Sequence, residues 1–389
     1  MLNNRVNVVG WLVFAITMVV YFFSVERTGS LWDCGEFVLG AYKLQVVHPP
    51  GAPLFLLVGR LFTWIATLVS STPSDIAFSV NLMSGLCSAL AAMFMCWTTI
   101  MFSKLALYGR SNDDEASNDW AILASGLVAG LCTAFATSIW FSAVEGEVYS
   151  MSTMFTCLTL WSAVKWYYLP DTRQNDRWLI FAMYAAALSV GVHLLSLLAF
   201  PTIALLYYYK RYERHTFSGF VVTGLIGVAS VMLFQALVIS GIPALWSWFE
   251  LICVNGLGLP FHSGLIPTIL VLSGLCILGL RYFERRNNDL MHKAVFAAML
   301  VIIANSVVGM VMLRAIANPP INMNAPDNVI RLLPYLNREQ YGERSLFRGP
   351  IFDARPIDTK SEDRYGRVGD EYKVVDRKFD YVFAKKDQI

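Results

Sequence analysis

The sequence predicts an all-α polytopic membrane protein, and three observations carry that prediction. Of its 389 residues, 56% are hydrophobic, and the mean hydropathy is +0.52. Only 15% are charged, against about 25% in an ordinary soluble domain. The charges are also unevenly placed: 26 fall in the 76 residues Arg314–Ile389 and 32 in the 313 before them. The chain therefore divides into an apolar transmembrane body, 1–313, and a short polar segment, 314–389.

Apolar runs close to the roughly 20 residues a helix needs to cross a bilayer occupy 6–25, 77–103, 120–142, 149–168, 217–239, 264–283 and 294–313. The run 178–209 is too long for one crossing and holds Gly191, His193 and Pro201 midway. It predicts two short helices meeting near the far surface, which brings the total to about nine crossings. The first run follows Arg5 and leads into a loop without a small-residue cleavage site. That predicts an anchor rather than a removed signal peptide.

The stretch Pro53–Val69 is apolar but contains Arg60. If it spanned, Lys210–His215 and Arg281–Lys293 would fall outside, against the excess of Lys and Arg expected in cytoplasmic loops. A helix lying along the interface removes the conflict. The inside then holds Arg5, Lys104, Arg110, Lys165, Arg173, Arg177, Lys210, Arg211, Arg214, Arg281, Arg285, Arg286 and Lys293, while the outer loops of the body keep Arg27, Lys43 and Arg60. This parity puts Glu26–Thr72, Ala143–Tyr149, the neighbourhood of His193, Ser240–Ser263 and 314–389 on the extracytoplasmic side.

Several function classes lose ground on composition and motif. A net charge of +2 without a basic stripe argues against nucleic acid. The sequence has no P-loop, G-x-G-x-x-G, H-E-x-x-H or G-x-S-x-G. Charges inside the spans are scarce, which disfavours an ion-coupled carrier. The seven cysteines include no C-x-x-C pair. Cys34 and Cys253 fall on one side, but sequence does not fix a disulfide between them.

The loop after the first span carries the densest chemistry, in Trp32-Asp33-Cys34-Gly35-Glu36-Phe37 and His48-Pro49-Pro50-Gly51. Asp33 and Glu36, three apart, share one face of a short helix. The prolines end that helix, because each biases the residue before it away from helical backbone. A carboxylate here suits a general base, while the plainer reading has Asp33 capping a helix and Glu36 in solvent. Glu145-Gly146-Glu147-Val148-Tyr149 forms a second acidic turn on the same side, either solvated or forming a wall of the same cavity. His193 sits at the apex of the split helix pair, as a structural residue or a cavity group. Arg60 is the body's best cation for an anionic group, unless it snorkels to the headgroups. Arg314 is a weaker candidate of the same kind. Glu250 and His262 carry no usable pattern.

W-D-C-G-E-F (Trp32–Phe37), H-P-P-G-A-P-L (His48–Leu54), E-G-E-V-Y (Glu145–Tyr149) and N-P-P-I-N (Asn318–Asn322) together resemble the protein O-mannosyltransferase-like transmembrane family of the GT-C superfamily of polytopic glycosyltransferases. That family is widespread in bacteria. The resemblance implies a GT-C-like fold, with a polyprenyl-phosphate-linked, mannose-like sugar as donor and a Ser/Thr hydroxyl of a protein as acceptor. It implies inverting transfer on the extracytoplasmic face, with Asp33 as general base supported by Glu36. His48 and Arg60 would contact the donor phosphate, and Trp32, Glu145, Glu147, Tyr149 and His193 would line the acceptor side. Members of the superfamily differ in metal use, so no metal ligand is assigned and a divalent metal stays open. The implied location is a bacterial inner membrane with the site facing the periplasm. Members also run on beyond this length, so the resemblance leaves two expectations open: that 314–389 is incomplete, or that the chain is a short relative. Two other readings remain open from the residues: a non-catalytic membrane subunit or scaffold of a cell-envelope complex, and a transferase acting on lipid or glycan acceptors.

Overall fold

The computed structural model describes residues 4–110, 119–342 and 349–384. The body is helical throughout: α1 Asn4–Ser24, α2 Cys34–Lys43, α3 Pro53–Thr67, α4 Pro73–Tyr108, α5 Trp120–Phe135, α6 Thr137–Val144, α7 Val148–Tyr168, α8 Arg177–Ser189, α9 Phe200–Arg211, α10 Phe217–Phe234, α11 Ile242–Leu251, α12 Leu265–Arg285, α13 Asp289–Asn305 and α14 Gly309–Ile316. Local signals set many of the starts. Proline occupies the first turn of α3, α4, α9 and α11, where its missing N–H costs no helical bond. Thr72 and Asp119 cap α4 and α5 through their side chains.

α4 runs through the centre and packs on α1, α2, α3, α5, α6 and α7. Its buried face carries Ser84, Ser88, Ala89, Ala91 and Ala92, small residues that let neighbouring backbones approach closely. The expected split of 178–209 is present. α8 ends at Ser189, a 3-10 turn covers Leu194–Ala199, and α9 begins at Phe200.

The ends of the bundle are chemically distinct. At one, Asp176 accepts from Trp166, pairs with Arg211 at 3.0 Å and with Lys293 at 2.5 Å, and Arg173 pairs with Asp289 at 3.4 Å. At the other, Glu26 N donates to Val144 O, Leu54 N donates to Gly191 O, and Val46 exchanges backbone bonds with Ile321 and Met323. These contacts gather the first loop, the second acidic turn, the His193 apex and the segment after α14, as the charge distribution predicts. They also locate α3. Its start is tied to Gly191, while just beyond it Ser74 donates to Arg27 O. Both flanks of α3 therefore lie at the first-loop end, as an interfacial helix requires and a crossing one does not.

Among the described residues, five helical stretches are long and apolar enough to cross a membrane: Asn4–Ser24, Pro73–Tyr108, Phe217–Gly256, Leu265–Arg285 and Asp289–Ile316. A sixth forms if α5 and α6, bent by 60°, count as one. The expected count of about nine is thus not reached by length and composition. α8 and α9, at 13 and 12 residues, are shorter than the roughly 20 residues of a full crossing.

The polar segment holds a short helix that the sequence reading did not assign and a β-hairpin that departs from the expected all-α class. α15 (Val329–Leu336) buries Val329, Leu332, Tyr335 and Leu336 against the body. A β-hairpin, β1 Pro356–Val368 with β2 Glu371–Phe383, follows it. The hairpin is anchored by Tyr372, whose hydroxyl donates to buried Glu250 at 3.1 Å and whose backbone exchanges two bonds with Asn255. The hairpin carries no period-two alternation in sequence, since Asp358–Arg364 is an unbroken polar run and most of both strands is exposed.

An impermeant thiol reagent applied from the extracytoplasmic side should label Trp32→Cys and miss Arg286→Cys in a background lacking exposed Cys132. The reverse labelling would invert the whole assignment of ends.

Candidate active site

The first loop returns to α2 through one side-chain pair. His48 donates from its backbone N to Glu36 Oε1 at 2.8 Å, and its Nδ1 meets Glu36 Oε2 at 2.7 Å. Burial pushes the Glu36 carboxyl up, but the bonds from the His48 ring and backbone outweigh it and hold it below its ordinary value. The bond to Glu36 raises the His48 imidazole despite partial burial, and the charges of Glu36 and Asp33 add to that while Arg338 opposes it. The two shifts have opposite signs and share one cause, the Glu36–His48 contact, which favours the charged form of each partner. Glu36 is therefore not the solvated carboxylate of the plainer reading.

Asp33 occupies the N-cap position of α2, yet its side chain makes no capping bond. Only its backbone C=O serves the helix, accepting from Phe37 N at 3.0 Å. The carboxylate instead lines a cavity of about 220 Å³ with Phe37, His48, Glu147, Tyr149, His193 and Arg338. Pockets for drug-sized ligands run about 300–1,000 Å³, so this space suits one sugar-sized group.

The second acidic turn is held to the first loop from beneath. Asn81 of α4, fully buried, donates to Glu26 O at 2.9 Å and Thr28 O at 3.0 Å. Gly146 N donates to Cys34 Sγ at 3.3 Å. A Cβ on Gly146 would come within 3.1 Å of Asn81 Oδ1 and Val80, so glycine permits this approach. Glu147 thereby reaches the cavity at 6% exposure. Burial first, and then the charges of Asp33 and Glu145, raise its carboxyl to about 7. At neutral pH it is shared between charged and protonated forms, so it both accepts and donates hydrogen bonds.

His193 caps the 3-10 turn, its Nδ1 accepting from Leu195 N at 3.2 Å. Burial and the charge of Arg338 lower its pKa, so the ring is neutral at pH 7 and carries its proton on Nε2. It packs beside Tyr149, the ring centroids 5.3 Å apart.

The structure thus brings together Asp33, His48, Glu147, Tyr149 and His193, with Glu36 behind His48. Three expected site residues lie elsewhere. Trp32 is 92% exposed with a left-handed φ of 68°, an unusual conformation for a bulky residue, and it points to solvent. Glu145 accepts from Ser30 outside the cavity. Arg60 donates to Tyr42 O at 2.5 Å and lies against the Tyr42 ring. In their place come Arg338 and, in supporting positions, Asn81 and Tyr335. Arg338 and Tyr335 sit far along a polar segment with no motif, and the Asn81 contacts depend on tertiary packing.

Cation-ligand geometry emerges as well. The side-chain donor atoms of Asp33, Glu36 and His48 lie within 4.8 Å of one another, each half-buried. Two carboxylates and an imidazole can take a divalent ion, but here His48 Nδ1 and Glu36 Oε2 already satisfy each other.

A polytopic helical membrane protein with a carboxylate–histidine cavity at one end of its bundle is the class that fold and site define. Residues 33–216 match the family model described as Protein O-mannosyl-transferase TMEM260 N-terminal domain. Among curated proteins, the chain is 27% identical over 167 residues to Protein O-mannosyl-transferase tmem260 of Dictyostelium discoideum, covering 43% of this chain and 18% of that one. It is 26% identical over 178 residues to Protein O-mannosyl-transferase TMEM260 of Mus musculus, covering 46% of this chain and 22% of that one. These matches show the protein O-mannosyltransferase-like resemblance, over a family-model range that holds His48–Leu54 and Glu145–Tyr149 and ends before Asn318–Asn322. No solved structure matches.

Because the Glu147 carboxyl is raised above its ordinary 4.5, the folded state holds that proton more tightly than the unfolded chain does. Stability from this group is full below pH 4.5 and falls as pH rises towards 7. Glu147→Gln should therefore raise the melting temperature more at pH 8 than at pH 5, read by intrinsic fluorescence in detergent. An equal shift at both values would remove Glu147 from the list of strained acids.

Proposed function

We propose that this chain forms the transmembrane part of a GT-C-like glycosyltransferase, moving a mannose-like sugar from a polyprenyl-phosphate donor to a Ser/Thr hydroxyl of a protein. The observation that carries the reading is the state of Asp33. It is a carboxylate without a capping bond, facing a sugar-sized cavity whose other acids are engaged or partly protonated. The names of the matched relatives, both protein O-mannosyl-transferases, supply the direction.

In this reading Asp33 takes the proton of the acceptor hydroxyl as its oxygen attacks the anomeric carbon. The bond from that carbon to the donor phosphate oxygen breaks, and the lipid phosphate leaves with the electron pair. Attack opposite the leaving group inverts the anomeric centre. Glu36 acts through His48, keeping the imidazolium charged and oriented towards the developing phosphate charge. Glu147 and neutral His193 hold hydroxyls of the sugar or acceptor, and Tyr149 supports the His193 ring. A divalent ion on Asp33, Glu36 and His48 would add Lewis-acid stabilisation of the leaving phosphate, at the cost of the Glu36–His48 bond. The reaction is placed on the extracytoplasmic side, the periplasmic face if the membrane is a bacterial inner one.

Reconstituted protein should transfer radiolabel from polyprenyl-phosphate mannose to a Ser/Thr-containing polypeptide. Asp33→Asn should lower kcat by roughly 10²- to 10⁴-fold, the usual contribution of general base catalysis. Transfer that survives the substitution would remove Asp33 as base. Donor binding without transfer to any acceptor would favour a non-catalytic membrane subunit.

A further inference from the structure

Arg60 and Arg314 reach the first-loop end of the body without lining the cavity, whereas Arg338 does line it. Arg60 donates to Tyr42 O, and Arg314 donates to Leu44 O at 2.6 Å and to Lys43 O at 3.3 Å. Those carbonyls close the C-terminus of α2, where backbone oxygens lack helical partners and the helix dipole favours positive charge. Both cations are committed to terminating α2.

Arg338 is different. It lines the cavity, stacks its guanidinium 5.0 Å from the Tyr341 ring, and pairs with no carboxylate among the described residues. Its backbone is fixed at a left-handed φ of 58°, with its N–H bonded to Tyr335 O at 3.1 Å. Tyr335 is buried to 1% and donates its hydroxyl to Val47 O, the residue before His48. Gly51, at φ 73°, makes room for that hydroxyl, which a Cβ would approach to 2.7 Å. The turn carrying Arg338 is therefore built into the His-Pro-Pro turn rather than laid over it.

The cavity is polarised as a result. The charge of Arg338 acts on His48 and His193, opposing protonation of both, whereas the groups that act on Glu147 are Asp33, Glu145, Val148 and His48. The lining joins two acids, Asp33 and Glu147, to a guanidinium, Arg338, and two imidazoles, His48 and His193. A ligand joining a neutral hydroxyl-rich ring to a phosphate matches both kinds of group. Guanidinium suits the phosphate end in particular, because its planar fork pairs two N–H groups with two phosphate oxygens.

We propose that Arg338, with His48 and His193, forms the subsite for the donor phosphate, the place that the sequence offers to Arg60. The proposal rests on the lipid-linked-donor reading given above. It makes the segment after α14 part of the active site, since that segment supplies the cavity's cation.

The test measures binding to the full chain in nanodiscs, using polyprenyl phosphate, the matching polyprenol without phosphate, and inorganic phosphate. Wild type should bind polyprenyl phosphate at least tenfold more tightly than polyprenol. Arg338→Gln should erase most of that difference, and Arg60→Gln should keep it within about twofold, since Arg60 bonds Tyr42 O and does not line the cavity. Inorganic phosphate that competes in wild type but not in Arg338→Gln would support the same subsite with a free phosphate as its source. Retention of the full difference in Arg338→Gln would overturn the subsite while leaving the donor reading intact. No discrimination by wild type would overturn the donor reading itself. Phenylglyoxal modification of Arg338 in the wild-type chain gives a readout independent of how the variant folds. Polyprenyl phosphate should protect it and polyprenol should not, and equal modification in both would also overturn the subsite.

Discussion

The Glu36–His48 bridge is the contact on which the site depends. A loop of this length after a membrane helix has no reason of its own to turn back, and fixing its backbone costs about 1–2 kcal/mol per residue. The bridge meets part of that cost with two bonds to one carboxylate, one from the backbone and one from the ring. Both partners are half-shielded from water, where a charge-assisted bond is stronger than at the surface. With His48 pinned, Phe37 packs against its ring and against Phe55, which sets the start of α3. Val46 and Val47 are then presented to the segment after α14.

Everything that gives the cavity its character follows from that placement. Asp33 is left with a carboxylate its own helix does not use. Gly146 N on Cys34 Sγ and Glu26 N on Val144 O hold the second acidic turn to the first loop, where the Asp33 charge adds to that of Glu145 on Glu147. At the other end of the bundle, Asp176 draws Arg211 and Lys293 into one partly buried cluster. Carboxylates thus do opposite work at the two ends. At one they are neutralised and hold loops together, and at the other Asp33 is left without a partner of its own.

Much of this was legible from the residues. Charge asymmetry alone placed four separate loops at one end and moved Pro53–Val69 off the list of crossings, and the contacts of Leu54 and Ser74 agree. Gly191 and Pro201 announced the break between α8 and α9 because each disfavours continuous helix there, and His193 caps the 3-10 turn that fills it. Side-chain direction was not legible. Trp32 looked like a cavity residue by adjacency to Asp33, but its left-handed backbone turns it outward. Arg60 looked like the phosphate cation because no sequence pattern reveals that the end of α2 needs its charge. Arg338 was invisible for the complementary reason: it lies 290 positions from His48 by numbering, and only the docking of Tyr335 joins them. The high charge of 314–389 likewise concealed α15, whose four buried residues are spread over a single two-turn helix.

The most direct measurement of the central claim is a double-mutant cycle on Glu36 and His48. Glu36→Gln, His48→Gln and the double variant would be compared with wild type for thermal stability and for donor binding at pH 6. If the bridge builds the site, the single substitutions should each cost about as much as both together, leaving a coupling of roughly 0.5–3 kcal/mol, as residues in direct contact show. Additive losses would mean that the two residues act separately and that something else shapes the cavity around Asp33.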